Sequence, residues 1–133
     1  MALMFLNGDG MRGGRAHYTI EGVPLVGERR TAPLYRFFSV RDEFPGLLLS
    51  PENGASIEGE LYDVPMDNIR TDFLPDEPAE LELTVIQLED GRSVLAVGLR
   101  PGVVDAIPDQ LTDITAEGGW RKYRGLPEPA EES

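Results

Sequence analysis

The sequence predicts an α+β fold: a small mixed or antiparallel β-barrel carrying a few short helices. Three observations predict it. Gly and Pro account for 15 and 11 of the 133 residues, about one fifth against a typical share of about 12%, and they cut the chain into short pieces. Most pieces are short apolar or alternating runs of strand length. One stretch alone, 65–74, places its apolar residues at helical spacing.

In order, 2–6 is an unbroken apolar run that reads as a buried first strand. It enters Asn7-Gly8-Asp9-Gly10-Met11-Arg12-Gly13-Gly14, a loop with four glycines in eight residues. Residues 15–20 read as a helical turn, then 23–28 and 35–40 as strands, with Phe37 and Phe38 on opposite faces. Strands are expected again at 46–50 and 56–64. In the second, Ile57, Gly59 and Leu61 share a face before the apolar side shifts to Tyr62 and Val64, which predicts a bulge. Over 65–74, Pro65 suits a first helical position, Met66, Ile69 and Phe73 fall on one side, and Pro75 and Pro78 stop the helix. Residues 80–88 read as a strand with Leu81, Leu83 and Val85 on one face. Asp90-Gly91 turns it into a hairpin with 93–99. A short turn or helix is expected near 105–112, and Gly118-Gly119 precedes Trp120 as an aromatic anchor. This makes six or seven strands in one domain over 1–125, followed by a polar, Pro-rich, disordered tail over 126–133.

Composition excludes several functions. With no cysteine, disulfides, thiolate zinc sites and cysteine nucleophiles are ruled out. A single histidine, His17, leaves no site needing two imidazoles from one chain, and no metal is expected, although His17 could shuttle a proton. The net charge of −12 argues against nucleic acid and against an anionic membrane surface. No apolar run approaches the ~20 residues of a membrane span, and the first residues lack the basic start of a signal peptide. The expectation is a soluble acidic protein of the cytoplasm. The charge is concentrated: residues 58–90 hold eleven acids against Arg70 alone. Interleaved with apolar residues, these acids read as the wet side of strands, or as the source of one acid/base group in a pocket.

Two features could carry chemistry. The loop 7–14 is neither a P-loop nor a dinucleotide fingerprint. Its consecutive backbone amides can form an anion-binding concavity, and it is equally an ordinary tight turn. After the helix come Asp72, Asp76, Glu77 and Glu80. Acids at a helix C-terminus oppose the macrodipole, and one of them, if buried, could serve as general acid or base. The tyrosines read as packing residues, and no nucleophile triad is present.

Phe5-Leu6-Asn7-Gly8-Asp9-Gly10-Met11-Arg12-Gly13, Thr31-Ala32-Pro33-Leu34-Tyr35-Arg36, Gly59-Glu60-Leu61-Tyr62, Asp113-Ile114-Thr115 and Gly118-Gly119-Trp120 together resemble the C-terminal domain of allophanate hydrolase. That domain belongs to the gamma-glutamylcyclotransferase-like superfamily, and the resemblance runs over about 3–124. It implies a small barrel with a pocket beside the loop after strand one, whose backbone holds a substrate carboxylate. Asn7, Gly8, Asp9, Gly10 and Met11 are the substrate-binding candidates it implies. The loop keeps the family glycine but replaces the usual tyrosine, hydroxyl and leucine, and Asp9 would oppose an anion. Cyclotransferases place a catalytic glutamate after the helix. With one residue inserted, that position falls at Glu77, with Asp76 and Glu80 as alternatives.

The implied activity is acyl transfer with cyclisation, or decarboxylation, of a small carboxylated amide without a cofactor. The allophanate hydrolase domain is linked to decarboxylation of the N-carboxycarbamate released by an amidase. The 133 residues hold no amidase signature, so urea-derived chemistry would need a separate amidase partner. The alternative is a non-catalytic binding or assembly module of the same fold, docking an amidase or a second copy of itself through an apolar patch near Trp120 and Phe38.

Overall fold

Ser93–Leu99, a strand of small and branched apolar residues, organises the sheet. The computed structural model describes residues 2–14, 17–20 and 22–127, so the tail reading over 128–133 lies outside the described residues, as do Arg15 and Ala16 of the expected 15–20 turn. The strands are β1 (Ala2–Leu6), β2 (Leu25–Arg30), β3 (Tyr35–Val40), β4 (Phe44–Leu49), β5 (Glu58–Val64), β6 (Leu81–Gln87), β7 (Ser93–Leu99) and β8 (Leu111–Asp113). The short helices are α1 (Met66–Asn68), α2 (Val103–Ala106) and α3 (Trp120–Arg124), with 3-10 turns between. The order across the sheet is β2-β5-β1-β7-β4-β3-β8, with β6 paired to β7 off this path. It is a curled, mixed, barrel-like sheet, as expected for the α+β class.

One edge of β7 pairs antiparallel with β6 along its whole length. The other edge is shared. It runs parallel to β1 at Leu95 and Ala96, and parallel to β4 at Gly98. The two neighbours therefore part beside β7, and the wedge between the end of β1 and the start of β4 is where the cavity described below opens.

The core is filled from the inward sides of these strands. Phe37, Ile57, Leu61 and Ala96 are fully buried, and each large apolar side chain so buried contributes roughly 1.5–3 kcal/mol relative to exposure. Trp120 at the start of α3 is also buried, and Phe38 is half-buried. Neither side chain is therefore itself an exposed apolar surface.

Several expectations are corrected. β2 lies two residues later than predicted. The bulge belongs to β2, between Leu25 and Gly27, and not to β5. β5 needs none, because both of its faces are covered: Glu60, Leu61 and Tyr62 are all buried in succession. The helix over 65–74 is a composite. Pro65 caps α1 from outside, Ile69–Phe73 forms one wider π turn, and Leu74–Asp76 continues as a 3-10 turn. Pro75 thus sits inside the helical segment, near the start of a turn, where a missing N–H costs nothing. On β6 only Leu81 of the predicted apolar face is buried; Leu83 and Val85 are exposed, and Ile86 on the opposite face is buried instead. The short turn or helix expected near 105–112 is present as the end of α2 and a 3-10 turn at Pro108–Gln110, with β8 starting at Leu111.

Candidate functional site

The loop after β1 is held from behind. Its hub is Glu60 on β5, whose side chain is fully buried. The Arg12 backbone N–H donates to Glu60 Oε1 at 2.8 Å and its Nε to Oε2 at 3.0 Å. From α3, Arg121 Nη2 donates to Glu60 Oε2 at 2.9 Å and to the Arg12 carbonyl at 2.7 Å. The Tyr62 hydroxyl completes the set at 2.7 Å. Burial pushes the Glu60 carboxyl up, but the Arg12 amide, the Tyr62 hydroxyl and the two guanidiniums outweigh it and hold the group below the usual carboxylate range. Burial first, then the hydrogen bond to Glu60 and its charge, push the Tyr62 hydroxyl up, against the opposing charges of Arg12 and Arg121. Reading the acids of 58–90 as solvated strand faces fails at Glu60. The signal was its place between Gly59 and Leu61 in a strand buried on both sides.

The loop also braces itself. Met11 N–H donates to the Gly8 carbonyl at 3.0 Å and Gly14 N–H to the Met11 carbonyl at 2.9 Å. With Arg12 committed to Glu60, three amides of the loop are already engaged. Gly8 passes so close to β4 that a Cβ there would lie 2.7 Å from Pro45 Cδ; only glycine permits that approach. His17 Nδ1 lies 2.8 Å from the Gly10 carbonyl oxygen and is not part of the cavity wall.

In front of the loop lies a cavity of about 470 Å³. Its apolar floor is Phe5, Leu6, Phe73, Leu81 and Val97, with Phe44 and Pro45 across the wedge. Asn7, Gly8, Asp9 and Gly10 line it, and so do Asp76 and Glu77. Met11 does not: its side chain is buried in the core and borders a small cleft against Trp120 and Arg121.

The three carboxylate candidates fall in different settings. Glu80 is not on the cavity wall; its Oε2 pairs with Arg41 Nη1 at 3.0 Å. Asp76 is exposed at the rim and accepts the Tyr18 hydroxyl. Glu77 is half-buried, and no hydrogen bond or ion pair reaches its carboxylate among the described residues. Burial first, then the neighbouring charges of Asp76 and Asp9, push it up to about 7. Asp9 itself accepts Trp120 Nε1 at 3.3 Å.

Arg41 and Glu43, which the sequence reading passed over, complete the wall. Arg41 and Asp42 form the β3–β4 turn with positive φ angles of 53° and 58°. That turn brings Arg41 to the cavity rim, where Glu43 holds its Nε at 3.0 Å and Gln110 its Nη1 at 2.7 Å. Among the described residues it is the sole cation of the wall. The described residues contain no group of three or more His, Asp or Glu side chains placed to hold a metal.

A curled mixed sheet, with a cavity where the loop after β1 meets the segment following the helix, defines a gamma-glutamylcyclotransferase-like fold. Residues 2–125 match the family of the allophanate hydrolase C-terminal domain, and the chain belongs to that family. Among solved structures, a uropathogenic E. coli-specific protein superposes with a TM-score of 0.87 at 32% identity, over 96% of this chain and 98% of that one. Kluyveromyces lactis allophanate hydrolase gives 0.84 at 22% identity, over 92% of this chain and 21% of that chain, so the likeness falls on one part of a much longer protein. A gamma-glutamyl cyclotransferase gives 0.53 at 13% identity, over 95% and 81%. No curated protein matches the chain. No helix is long and apolar enough to cross a membrane.

Proposed function

We propose that the chain is a small-molecule enzyme that moves a proton on an amide or carbamate nitrogen through Glu77. The observation that carries this reading is the Glu77 carboxyl on the cavity wall: unpaired, half-buried and pushed up to about 7. A group so placed both gives and takes a proton near neutral pH. In ring-closing acyl transfer it would take the proton of the attacking amine and return it to the leaving nitrogen. In decarboxylation of an N-carboxy compound it would protonate the nitrogen as CO2 departs. Neither reaction calls for a cofactor. Asn7, Gly8, Asp9 and Gly10 supply the opposite wall, and residues 1–125 act as one catalytic domain.

The test is turnover by wild type and Glu77→Gln, the amide being isosteric but unable to exchange a proton. Three substrate sets suffice: ω-amino amides, γ-glutamyl amines followed by 5-oxoproline release, and N-carboxycarbamate generated in place by an allophanate amidase. Turnover by the wild type, reduced at least ~100-fold in the variant, supports the reading. Turnover retained in the variant, or none by the wild type with any set, refutes it.

A second reading has its own support. The matching region of allophanate hydrolase is one part of a longer chain, which favours a module that associates with an amidase. Co-elution with an allophanate amidase, without turnover of its own, is the outcome that reading requires.

A further inference from the structure

We propose that the outer edge of β6 is a self-association surface: two copies of the chain pair there antiparallel, Leu83 of one opposite Val85 of the other.

The edge is open over a short, bounded window. Even-numbered positions of β6 face β7: Arg100 N–H donates to the Glu80 carbonyl at 2.9 Å, Leu88 N–H to the Arg92 carbonyl at 2.8 Å, and the register between them is unbroken. Odd-numbered positions therefore turn their N–H and C=O away from β7. At one end Gln87 is taken, its N–H by the Tyr35 hydroxyl at 2.9 Å and its carbonyl by Ala32 N–H at 2.9 Å. At the other end Leu81 N–H donates to the Pro78 carbonyl at 3.1 Å. Between them, the N–H and C=O of Leu83 and Val85 meet no partner among the described residues. The same two residues carry exposed apolar side chains, 39% and 61% accessible, beside half-buried Leu95 across the β6–β7 ladder.

Other edges of the sheet carry the usual defences against strand pairing. β2 has a bulge at Leu25/Gly27 and the charges of Glu28, Arg29 and Arg30; β8 is only 3 residues long. β6 has no bulge, proline or lysine over its 7 residues. Self-matching selects a second copy as the occupant. A two-fold axis at Thr84 sets Leu83 opposite the partner's Val85, and Val85 opposite the partner's Leu83, so every open N–H and C=O of the window is paired and the exposed side chains cover one another. Moving the axis to Leu83 or to Val85 would set an open residue against Leu81 or Gln87, whose N–H groups are already committed. Charge agrees with the first register. Glu82 falls opposite the partner's Ile86, not opposite another acid, and is offset within its own chain by Arg100 at 3.4 Å. So small a contact gives a weak dimer, with Kd on the order of 10–100 µM.

Sedimentation of the full chain over a concentration series tests this. A monomer–dimer equilibrium is expected, and added salt should tighten it several-fold by screening two chains of net charge −12. Val85→Lys and, separately, Leu83→Lys should weaken the dimer at least about tenfold while Trp120 fluorescence and the melting temperature of the monomer stay as in wild type. The register is read by cross-linking. The chain has no cysteine, and Thr84 meets its own copy across the axis as a non-hydrogen-bonded pair with Cα atoms about 4.5 Å apart, within disulfide reach. Thr84→Cys should therefore oxidise to a covalent dimer at least about tenfold faster than Glu82→Cys, whose copies lie on opposite sides of the axis. A wild type that is monomeric at about 1 mM, a dimer that both lysine variants leave intact, or equal cross-linking at positions 82 and 84 overturns the proposal. The first and last of these are read without either lysine variant.

Discussion

Arg41 Nη1 lies 3.0 Å from Glu80 Oε2, and this ion pair divides the acids that follow the helix. Glu80, tied to the β3–β4 turn, steadies the cavity rim. Glu77, three residues earlier, faces the cavity with no such partner. Partly exposed pairs of this kind are worth about 1 kcal/mol or less. Glu80→Gln should therefore keep turnover within a few-fold of wild type and shift stability by no more than about 1 kcal/mol. Side-by-side kinetics and melting of the Glu80 and Glu77 variants check this; loss of turnover in Glu80→Gln would move the proton-transfer role.

Glu77 also makes stability depend on pH, with a definite sign. Its carboxyl is pushed up to about 7 from 4.5, so the folded protein retains a proton that the unfolded chain releases. Stability therefore falls as pH rises through that window and levels off above it. Glu77→Gln removes the effect and should gain up to about 3 kcal/mol over wild type at pH ~8, with little gain at pH ~4. Urea unfolding at the two pH values reads the difference; an equal gain at both contradicts it.

Glu60 carries the opposite sign. Held below the usual carboxylate range, it contributes stability that is present above the unfolded-state value and lost as pH falls through the folded-state value. Glu60→Gln leaves the guanidiniums of Arg12 and Arg121 without their buried counter-charge and should cost about 3–5 kcal/mol. Trp120, the sole tryptophan, precedes Arg121 on α3, so its fluorescence reports the unfolding midpoint directly.

Gly8 and Gly10 separate close approach from mere loop composition. A Cβ at Gly8 meets the rigid Pro45 ring at 2.7 and 2.9 Å, and overpacking of this kind costs about 1–3 kcal/mol. At Gly10 the nearest atom is Leu6 Cδ1 at 3.1 Å, the end of a flexible side chain. Gly8→Ala should lower the melting temperature and disturb ligand binding across the wedge, whereas Gly10→Ala should change stability by less than about 1 kcal/mol. Similar losses in both variants would show that the Pro45 contact is not the constraint.

Local chemistry was legible in the sequence. β1 and β3 were read to the residue, since their apolar runs end at Asn7 and Arg41, and the Asp90-Gly91 hairpin was read from its turn, with Gly91 at φ 92°. The composite helix was not, because a wider turn at Ile69–Phe73 leaves no mark in a period-based reading. Nor was the exposed face of β6 at Leu83 and Val85: alternation announces that one face is apolar, not whether anything covers it. Their place after the helix marked Asp76, Glu77 and Glu80 together as candidates, and only the family resemblance singled out Glu77. Nothing local distinguished it from Asp76 or Glu80, which share its charge and differ in their neighbours.

By itself, then, the sequence determined the class of fold, the position of the glycine loop, and the crowding of acids into residues 58–90. These follow from periodicity, backbone freedom and composition, which are properties of neighbouring residues. The tertiary structure decided which acid does what. Glu60 is buried against two arginines from distant parts of the chain, Glu80 is paired across a turn, and Glu77 is left facing a cavity. The reason is physical: a carboxylate's proton affinity is set by burial and by the charges around it. For these three groups those surroundings are assembled by β1, β4 and β7 parting, by the β3–β4 turn, and by α3 folding back onto the loop.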